Sequence, residues 1–114
     1  MTRGRLERGA AGEALAADWY VEQGYAVLDR NWRCRDGELD LVLRQGRTTV
    51  FCEVKTRTST AFGSPAEAVT PTKQRRIRRL AAQWLGAHPE ARGDVRFDVA
   101  SVLAGRLEVI EAAF

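Results

Sequence analysis

Hydrophobic and polar residues alternate in two neighbouring segments near the middle of the chain, 38–43 and 50–55. Leucine occupies every second position of the first segment, and Val50, Cys52 and Val54 alternate with aromatic or charged residues in the second. This period of two is typical of half-buried β-strands. Between the segments, Gln45-Gly46 lies in a predicted tight turn, because glycine tolerates a positive φ. The pattern therefore predicts a β-hairpin.

The length of the turn decides which side chains share a face of this hairpin. A loop of two or four residues places Asp40 opposite Phe51 and diagonal to Glu53, with roughly 5–8 Å between the Cβ atoms of the two acids. Glu38 then lies opposite Glu53, and Lys55 shares their face. A loop of three or five residues sends the two acids to opposite faces. We favour the even loop because only that loop also brings the apolar residues of the two strands together.

Two segments with helical spacing flank this hairpin. An alanine-rich stripe predicts a helix over 6–23 that ends at Gly24, and a second helix is predicted to begin at Thr70-Pro71. Threonine is a favoured N-cap, and proline suits the first helical turn. The apolar stripes comprise Leu6, Ala10, Ala14, Ala17 and Val21 in the first helix and Ile77, Leu80, Ala81, Trp84 and Leu85 in the second.

Further strands are predicted over 25–33, 95–103 and 107–110, with a loop over 56–68. A helix between the third and fourth strands requires a crossover connection, so the sheet is expected to be mixed. The order αβββαββ predicts one α/β domain over residues 1–114, with a mixed sheet of about five strands flanked by helices.

Composition adds a location and a class of partner. The 114 residues are 45% hydrophobic and 29% charged, as in an ordinary globular domain, and the net charge of +3 is compatible with a polyanionic partner or with none. No apolar run approaches the roughly 20 residues of a membrane span, and acids interrupt the basic N-terminus. We therefore expect a cytoplasmic protein with no membrane partner. Two isolated cysteines predict neither a disulfide framework nor a zinc site.

The acids and the lysine on the hairpin suit a metal site. Two close carboxylates repel unless a cation lies between them, and carboxylate oxygens suit Mg²⁺ or Mn²⁺. Asp40 and Glu53 are the strongest pair, and Lys55 is a candidate to handle a water molecule. By spacing alone, solvated charges on an exposed strand face are the commoner explanation. Glu13 lies among small residues that allow its helix to approach the sheet, although by this evidence alone a surface glutamate is the commoner explanation. Glu38 is a further candidate, although such a residue more often helps to hydrogen-bond a turn.

The second predicted helix carries a run of cations. Five basic residues with no acid among them repel one another at helical spacing, which favours a phosphate-binding surface over an ordinary solvated face. They are Lys73, Arg75, Arg76, Arg78 and Arg79.

Taken together, these motifs resemble the PD-(D/E)xK nuclease superfamily, which includes restriction endonucleases and archaeal Holliday-junction resolvases. Glu53-Val54-Lys55 resembles its ExK half-motif, Asp40 the aspartate of the preceding strand, and Glu13 the glutamate of the first helix. Leu39 stands where the superfamily commonly has proline. More closely, the chain resembles the small bacterial YraN-type proteins over nearly its whole length. That resemblance rests on Gly12-Glu13, Gly37-Glu38-Leu39-Asp40-Leu41-Val42, Glu53-Val54-Lys55-Thr56-Arg57 and Thr70-Pro71-x-Lys73.

The resemblance implies a restriction-endonuclease-like fold and a Mg²⁺- or Mn²⁺-dependent endonuclease that cleaves DNA, with branched DNA as substrate and a homodimer as in the resolvases. It implies a catalytic set of Glu13, Asp40, Glu53 and Lys55; metal ligands Asp40, Glu53 and the Val54 backbone carbonyl; and a DNA-binding set of Arg57, Lys73, Arg75 and Arg76. Two alternatives stay open: a nucleic-acid-binding module without catalysis, and a protein-interaction scaffold in which the acids are structural.

Overall fold

The computed structural model describes residues 3–57 and 69–114, with side chains from Ala10 onward. The elements follow the predicted order αβββαββ. They are α1 (Arg3–Glu22), β1 (Ala26–Cys34), β2 (Gly37–Gln45), β3 (Thr48–Arg57), α2 (Pro71–Ala87), β4 (Asp94–Leu103) and β5 (Arg106–Ile110). Most of the predicted loop over 56–68 lies outside the described residues, and its first two positions extend β3.

The five strands form one mixed sheet in the order β1-β2-β3-β4-β5. The pair β3–β4, which is connected through α2, is parallel, and the other three pairs are antiparallel. This confirms the predicted mixed α/β fold with flanking helices. Among the described residues, no helix is long and apolar enough to span a bilayer.

The hairpin of β2 and β3 has an even loop, but its register differs from the predicted one by two residues. Gln45 pairs with Thr48, which leaves a two-residue loop whose first residue, Gly46, has a φ of 59°. Val42, and not Asp40, pairs with Phe51. A shift of two preserves the face of every side chain, because side chains alternate with a period of two.

The two faces of the sheet bury separate apolar clusters. On one face, α2 packs its buried residues against Val42, Phe51 and neighbouring strand residues. The predicted α2 stripe is confirmed, with Ile77, Leu80, Ala81 and Trp84 buried and Leu85 partly buried. The predicted N-cap is also confirmed, since the Thr70 hydroxyl accepts a hydrogen bond from the Lys73 backbone N–H at 3.3 Å.

On the other face, α1 is rotated away from its predicted orientation. Ala10 and Ala14 are exposed and Val21 is 54% exposed, whereas Ala17 and Tyr20 are fully buried. Ala17 is therefore buried as predicted, whereas the predictions for Ala10, Ala14 and Val21 are wrong, and the Leu6 side chain lies outside the described part of the chain. The pattern misled because alanine occurs on every side of this helix and gives little contrast between its faces.

A buried acid on β4 fixes the rotation of α1. Asp98 is fully buried, and its Oδ2 accepts a hydrogen bond from the Tyr20 hydroxyl at 2.7 Å. The Arg96 guanidinium donates to both carboxylate oxygens at 2.9 Å, and the Ala112 backbone N–H donates to Oδ1 at 2.9 Å. Since an unpaired buried charge is strongly unfavourable, this network specifies which side of α1 faces the sheet.

Candidate metal site

Asp40 lies at the point where the pairing of β2 with β3 ends. The last residue pair of that ladder is Leu41 with Cys52, so continuing the register by one residue sets Asp40 opposite Glu53. In the structure, Asp40 Oδ2 accepts a hydrogen bond from the Val54 backbone N–H at 2.9 Å. This bond holds the carboxylate against β3. The predicted diagonal arrangement of Asp40 and Glu53 is therefore replaced by a direct one.

A second acid reaches this point from α1. Gly12 makes the approach possible, because a Cβ atom at this position would clash with Thr56 Oγ1. The next residue, Glu13, consequently reaches the end of the β2–β3 ladder. Carboxylate oxygens of Glu13, Glu38 and Asp40 lie within 4.8 Å of one another. The helix therefore carries its glutamate to the sheet, which is the less favoured of the two alternatives that the small residues around it left open.

The three acids crowd negative charge into a half-buried space. Burial, followed by the charge of Glu53, raises the pKa of the Asp40 carboxyl from 3.8 to about 7, against the opposing hydrogen bond from Val54. Burial and the charges of Glu38 and Glu53 also raise the pKa of Glu13, although a hydrogen bond with the Asn31 side chain acts in the opposite direction. Such shifts indicate carboxylates that lack sufficient positive charge. Mg²⁺ and Mn²⁺ prefer oxygen ligands of this kind, so the residues fit either ion.

Glu53 lies in the same neighbourhood but is paired with two lysines. Its Oε1 is 3.1 Å from Lys73 Nζ and 3.6 Å from Lys55 Nζ, and its side chain is only 11% exposed. The structure thus places the predicted pair Glu53 and Lys55 side by side. It also adds Lys73, which the sequence analysis assigned to the DNA backbone.

The pKa values of Lys55 and Lys73 are shifted in opposite directions. Burial and the neighbouring Lys73 lower the pKa of Lys55, although Glu53 and Asp40 act to raise it. Burial also acts to lower the pKa of Lys73, but the neighbouring carboxylates of Glu53 and Asp40 contribute to a net rise. A lysine with a lowered pKa beside carboxylates is suited to accepting a proton, whereas Lys73 is suited to remaining an ammonium ion.

The other residues predicted to bind nucleic acid lie on two different elements, α2 and β3. Arg75 and Arg76 are exposed on α2; the Arg75 guanidinium donates to Thr72 Oγ1 at 3.3 Å, and the Arg76 side chain lies near Gly37. Arg57 is half-buried at the end of β3, where it lines a cavity of about 340 Å³ beside α1. None of these roles is tested by the structure.

Val54 and Arg78 make contacts that were not predicted. The recorded hydrogen bond between Val54 and Asp40 involves the Val54 N–H, and the Val54 carbonyl stays a predicted ligand. In the basic run, the Arg78 guanidinium lies 4.6 Å from the centre of the Phe97 ring, so this residue packs against the core edge. A cation–π contact explains one of the five charges without a phosphate.

Two contacts that shape the site were not predicted: the ion pair of Lys73 with Glu53 and the contact of Asn31 with Glu13. Lys73 stands at the third helical position of α2, where a glutamate commonly completes a capping box, and this departure was a readable signal. Asn31, whose side chain hydrogen-bonds Glu13, has a φ of 50° within β1. Asparagine adopts this region more readily than most residues, but its position at the site depends on the packing of α1.

Comparison with known proteins identifies the family. Residues 12–102 match the family described as "Uncharacterised protein family UPF0102". A UPF0102 protein of Frankia alni is 62% identical over 94 residues, which cover 82% of this chain and 78% of the relative. A UPF0102 protein of Mycolicibacterium vanbaalenii is 54% identical over 110 residues, with 96% and 91% of the two chains covered. One from Clavibacter michiganensis is 48% identical over 118 aligned positions, with 99% of each chain covered. The chain therefore belongs to the UPF0102 family, which confirms the resemblance to YraN-type proteins.

Proposed function

We propose that this chain is a metal-dependent endonuclease that hydrolyses phosphodiester bonds in DNA. The observation that carries the proposal is the convergence of Glu13, Glu38 and Asp40 within 4.8 Å, in the same half-buried neighbourhood as Glu53 and Lys55. The acids come from α1 and the open end of the β2–β3 hairpin, so the tertiary fold assembles them. A protein that only binds DNA gains nothing from acids crowded against a phosphate, because they repel it.

The carboxylates would hold Mg²⁺ or Mn²⁺, with Asp40 central because its side chain is fixed by Val54. The bound ion would supply a Lewis acid for the scissile phosphate and for the leaving oxygen. Glu53 orients Lys55 through their ion pair. Lys55 orients the attacking water. Its lowered pKa favours loss of the ammonium proton to solvent, and the resulting neutral amine accepts a proton from that water.

The N-terminal part of α2 supports the assignment of DNA as substrate. Helix N-termini attract phosphates, and the first turn of α2 contains no acid that would oppose this attraction. Arg75 and Arg76 follow on the exposed side, and Arg57 is a further candidate from β3. The preference for branched DNA and the homodimer come from the resemblance to Holliday-junction resolvases.

The test combines metal binding with cleavage. Mn²⁺ is titrated into the wild type and into Asp40→Ala/Glu53→Ala by calorimetry, with and without a four-way DNA junction. The same proteins are then incubated with junction and linear DNA in Mg²⁺ or Mn²⁺. Glu22→Gln, which alters an exposed glutamate at the end of α1, is the matched control. We expect the wild type and the control to bind Mn²⁺ and cut DNA, and the folded double variant to do neither.

Two results would replace the proposal. DNA binding that depends on salt but is indifferent to Mn²⁺ and to the acids would favour a non-catalytic binding module. Absence of both DNA and metal binding in the wild type, together with unfolding of the double variant, would favour the scaffold role.

A further inference from the structure

Lys73 pairs with Glu53, one of the acids that the proposed function assigns to the metal. Its Nζ lies 3.1 Å from Glu53 Oε1, which is closer than the 3.6 Å of Lys55 to the same oxygen. Lys73 is 30% exposed and Glu53 only 11% exposed, so the ammonium group approaches the carboxylate from the solvent side of the site. Lys73 thus supplies one unit of positive charge to the carboxylates.

The backbone of α2 places this lysine against its local preference. Thr70 caps the helix through the Lys73 N–H, which makes Lys73 the third helical residue after the Pro71 start. At this position a negative side chain is favourable because the helix N-terminus carries partial positive charge, and a glutamate would complete a capping box. A lysine here is locally unfavourable. Its tertiary pairing with Glu53 compensates for this conflict, and conflicts of this kind are typical of functional sites.

We infer that Lys73 is a tethered cation that competes with the divalent metal for Glu53 and exchanges to a substrate phosphate when the metal is bound. The inference rests on the proposed function, since it concerns the same carboxylates. In the metal-free protein, Lys73 and Lys55 together offset part of the charge of the acids. When a divalent ion enters, the repulsion between this ion and Lys73 favours release of Lys73 from Glu53.

The released ammonium group has a suitable new partner. Lys73 belongs to the N-terminal turn of α2, where phosphates are attracted. Its four-carbon side chain can turn from a carboxylate to a phosphate without movement of the helix. Substrate binding and metal binding would consequently support each other, because the phosphate accepts the cation that the metal displaces. Lys73 is on this account a positioning residue for the metal and a binding residue for DNA.

Measurement of Mn²⁺ affinity in the absence of DNA tests the competition. The proteins are the wild type, Lys73→Met, which keeps an unbranched apolar side chain, and Arg79→Met. The control removes one positive charge from an exposed position of the same helix, six residues further along. We expect Lys73→Met to bind Mn²⁺ about tenfold more tightly than the wild type, which is the effect of one charge on a divalent ion roughly 6 Å away in a medium as polar as water. Arg79→Met should change the affinity less than about twofold.

A second background separates the exchange at Glu53 from a general charge effect. In Glu53→Gln the competition for the carboxylate is absent, so adding Lys73→Met should tighten Mn²⁺ binding much less than it does in the wild type. With Mn²⁺ bound, Lys73→Met should bind a DNA junction more weakly than the wild type does. Urea denaturation of each variant establishes that it is folded.

The outcomes distinguish this inference from the proposed function. If the wild type binds Mn²⁺ and folded Lys73→Met binds it equally or more weakly, Lys73 is a structural or purely DNA-binding residue and the competition is refuted. If neither protein binds Mn²⁺, the metal site itself is refuted and the inference with it. If Lys73→Met binds Mn²⁺ more tightly than the wild type and Arg79→Met does not, the inference is supported, because the loss of a merely structural residue would lower the affinity for Mn²⁺.

Discussion

The acids of the site should destabilise the metal-free protein, and Asp40→Asn measures this cost. Asparagine has nearly the size of aspartate and keeps an oxygen that can accept the hydrogen bond from the Val54 N–H. It removes the charge that Glu13, Glu38 and Glu53 repel. We therefore expect the metal-free variant to be more stable than the wild type at neutral pH, although it lacks a proposed metal ligand.

The magnitude follows from the pKa of Asp40. Burial and the charge of Glu53 raise this pKa from 3.8 to about 7 in the folded protein. A difference of this size corresponds to about 4 kcal/mol when the group is fully ionised. Because Asp40 is only half-buried and solvent screens its charge, we expect about 2 kcal/mol.

The sign of the pH dependence is fixed by proton linkage. Between about pH 4 and pH 7 the folded state binds more protons at Asp40 than the unfolded state, so the free energy of unfolding falls as pH rises. Below this window the carboxyl is protonated in both states and the penalty is absent. Above about pH 7 the penalty is complete. The advantage of Asp40→Asn should therefore be small at pH 4.5 and largest at pH 8.

Urea denaturation in the presence of a chelator measures this difference at both pH values. Asp18→Asn, which alters an exposed aspartate of α1, is the matched control. Saturating Mn²⁺ at pH 8 should reverse the order, because the ion stabilises the folded wild type and has lost a ligand in Asp40→Asn. The reasoning is refuted if Asp40→Asn is no more stable than the wild type at pH 8 without metal, or if its advantage is equal at both pH values.

Three further predictions concern the fold and the DNA surface. Asp98→Asn should lower the free energy of unfolding by about 3 kcal/mol in urea denaturation, because it removes the charge that Arg96 faces, and a loss below about 1 kcal/mol would contradict the anchoring role. Gly12→Ala should destabilise the protein by about 1–3 kcal/mol and weaken Mn²⁺ binding, because its Cβ meets Thr56 and displaces α1. If stability and Mn²⁺ affinity are both unchanged, α1 does not need a glycine at this position. Arg76→Gln should reduce the slope of log affinity for DNA against log salt by about 0.9 if the residue contacts one phosphate, and an unchanged slope would remove it from the interface.

The sequence predicted best those features that local chemistry specifies. The N-terminus of α2 follows from Thr70-Pro71, and the buried face of α2 follows from large apolar residues at helical spacing. For the hairpin, the sequence predicted an even loop and the face of each side chain but not the strand register. Alternation with a period of two cannot distinguish registers that differ by two residues. The position of Gly46 as the first residue of a two-residue loop decides between them.

Features that depend on packing between distant segments were less predictable. The rotation of α1 is set by Tyr20, whose hydroxyl reaches Asp98 on β4, 78 positions along the chain. Since alanine is compatible with both the buried and the exposed face, the helical pattern alone favoured the wrong stripe. Glu13 was nevertheless named as a candidate, because the family resemblance assigned a role to the glutamate of the first helix, whereas the small residues beside it only allowed a close approach of α1 to the sheet.

The acids of the site form two groups, and only the three-dimensional structure shows which acid belongs to which group. Asp40 joins Glu13 and Glu38, whereas Glu53 pairs with Lys55 and Lys73. Sequence spacing could place Glu53 beside Lys55 on one strand, but Lys73 follows a connection whose path spacing does not specify. The same two lysines therefore act on the carboxylates from different elements, one from the sheet and one from a helix N-terminus. A helix N-terminus favours phosphate as a ligand. Because Lys73 extends from such a terminus to Glu53 on the sheet, we expect a phosphate bound at the terminus to draw Lys73 away from Glu53 and so to change the charge around the carboxylates.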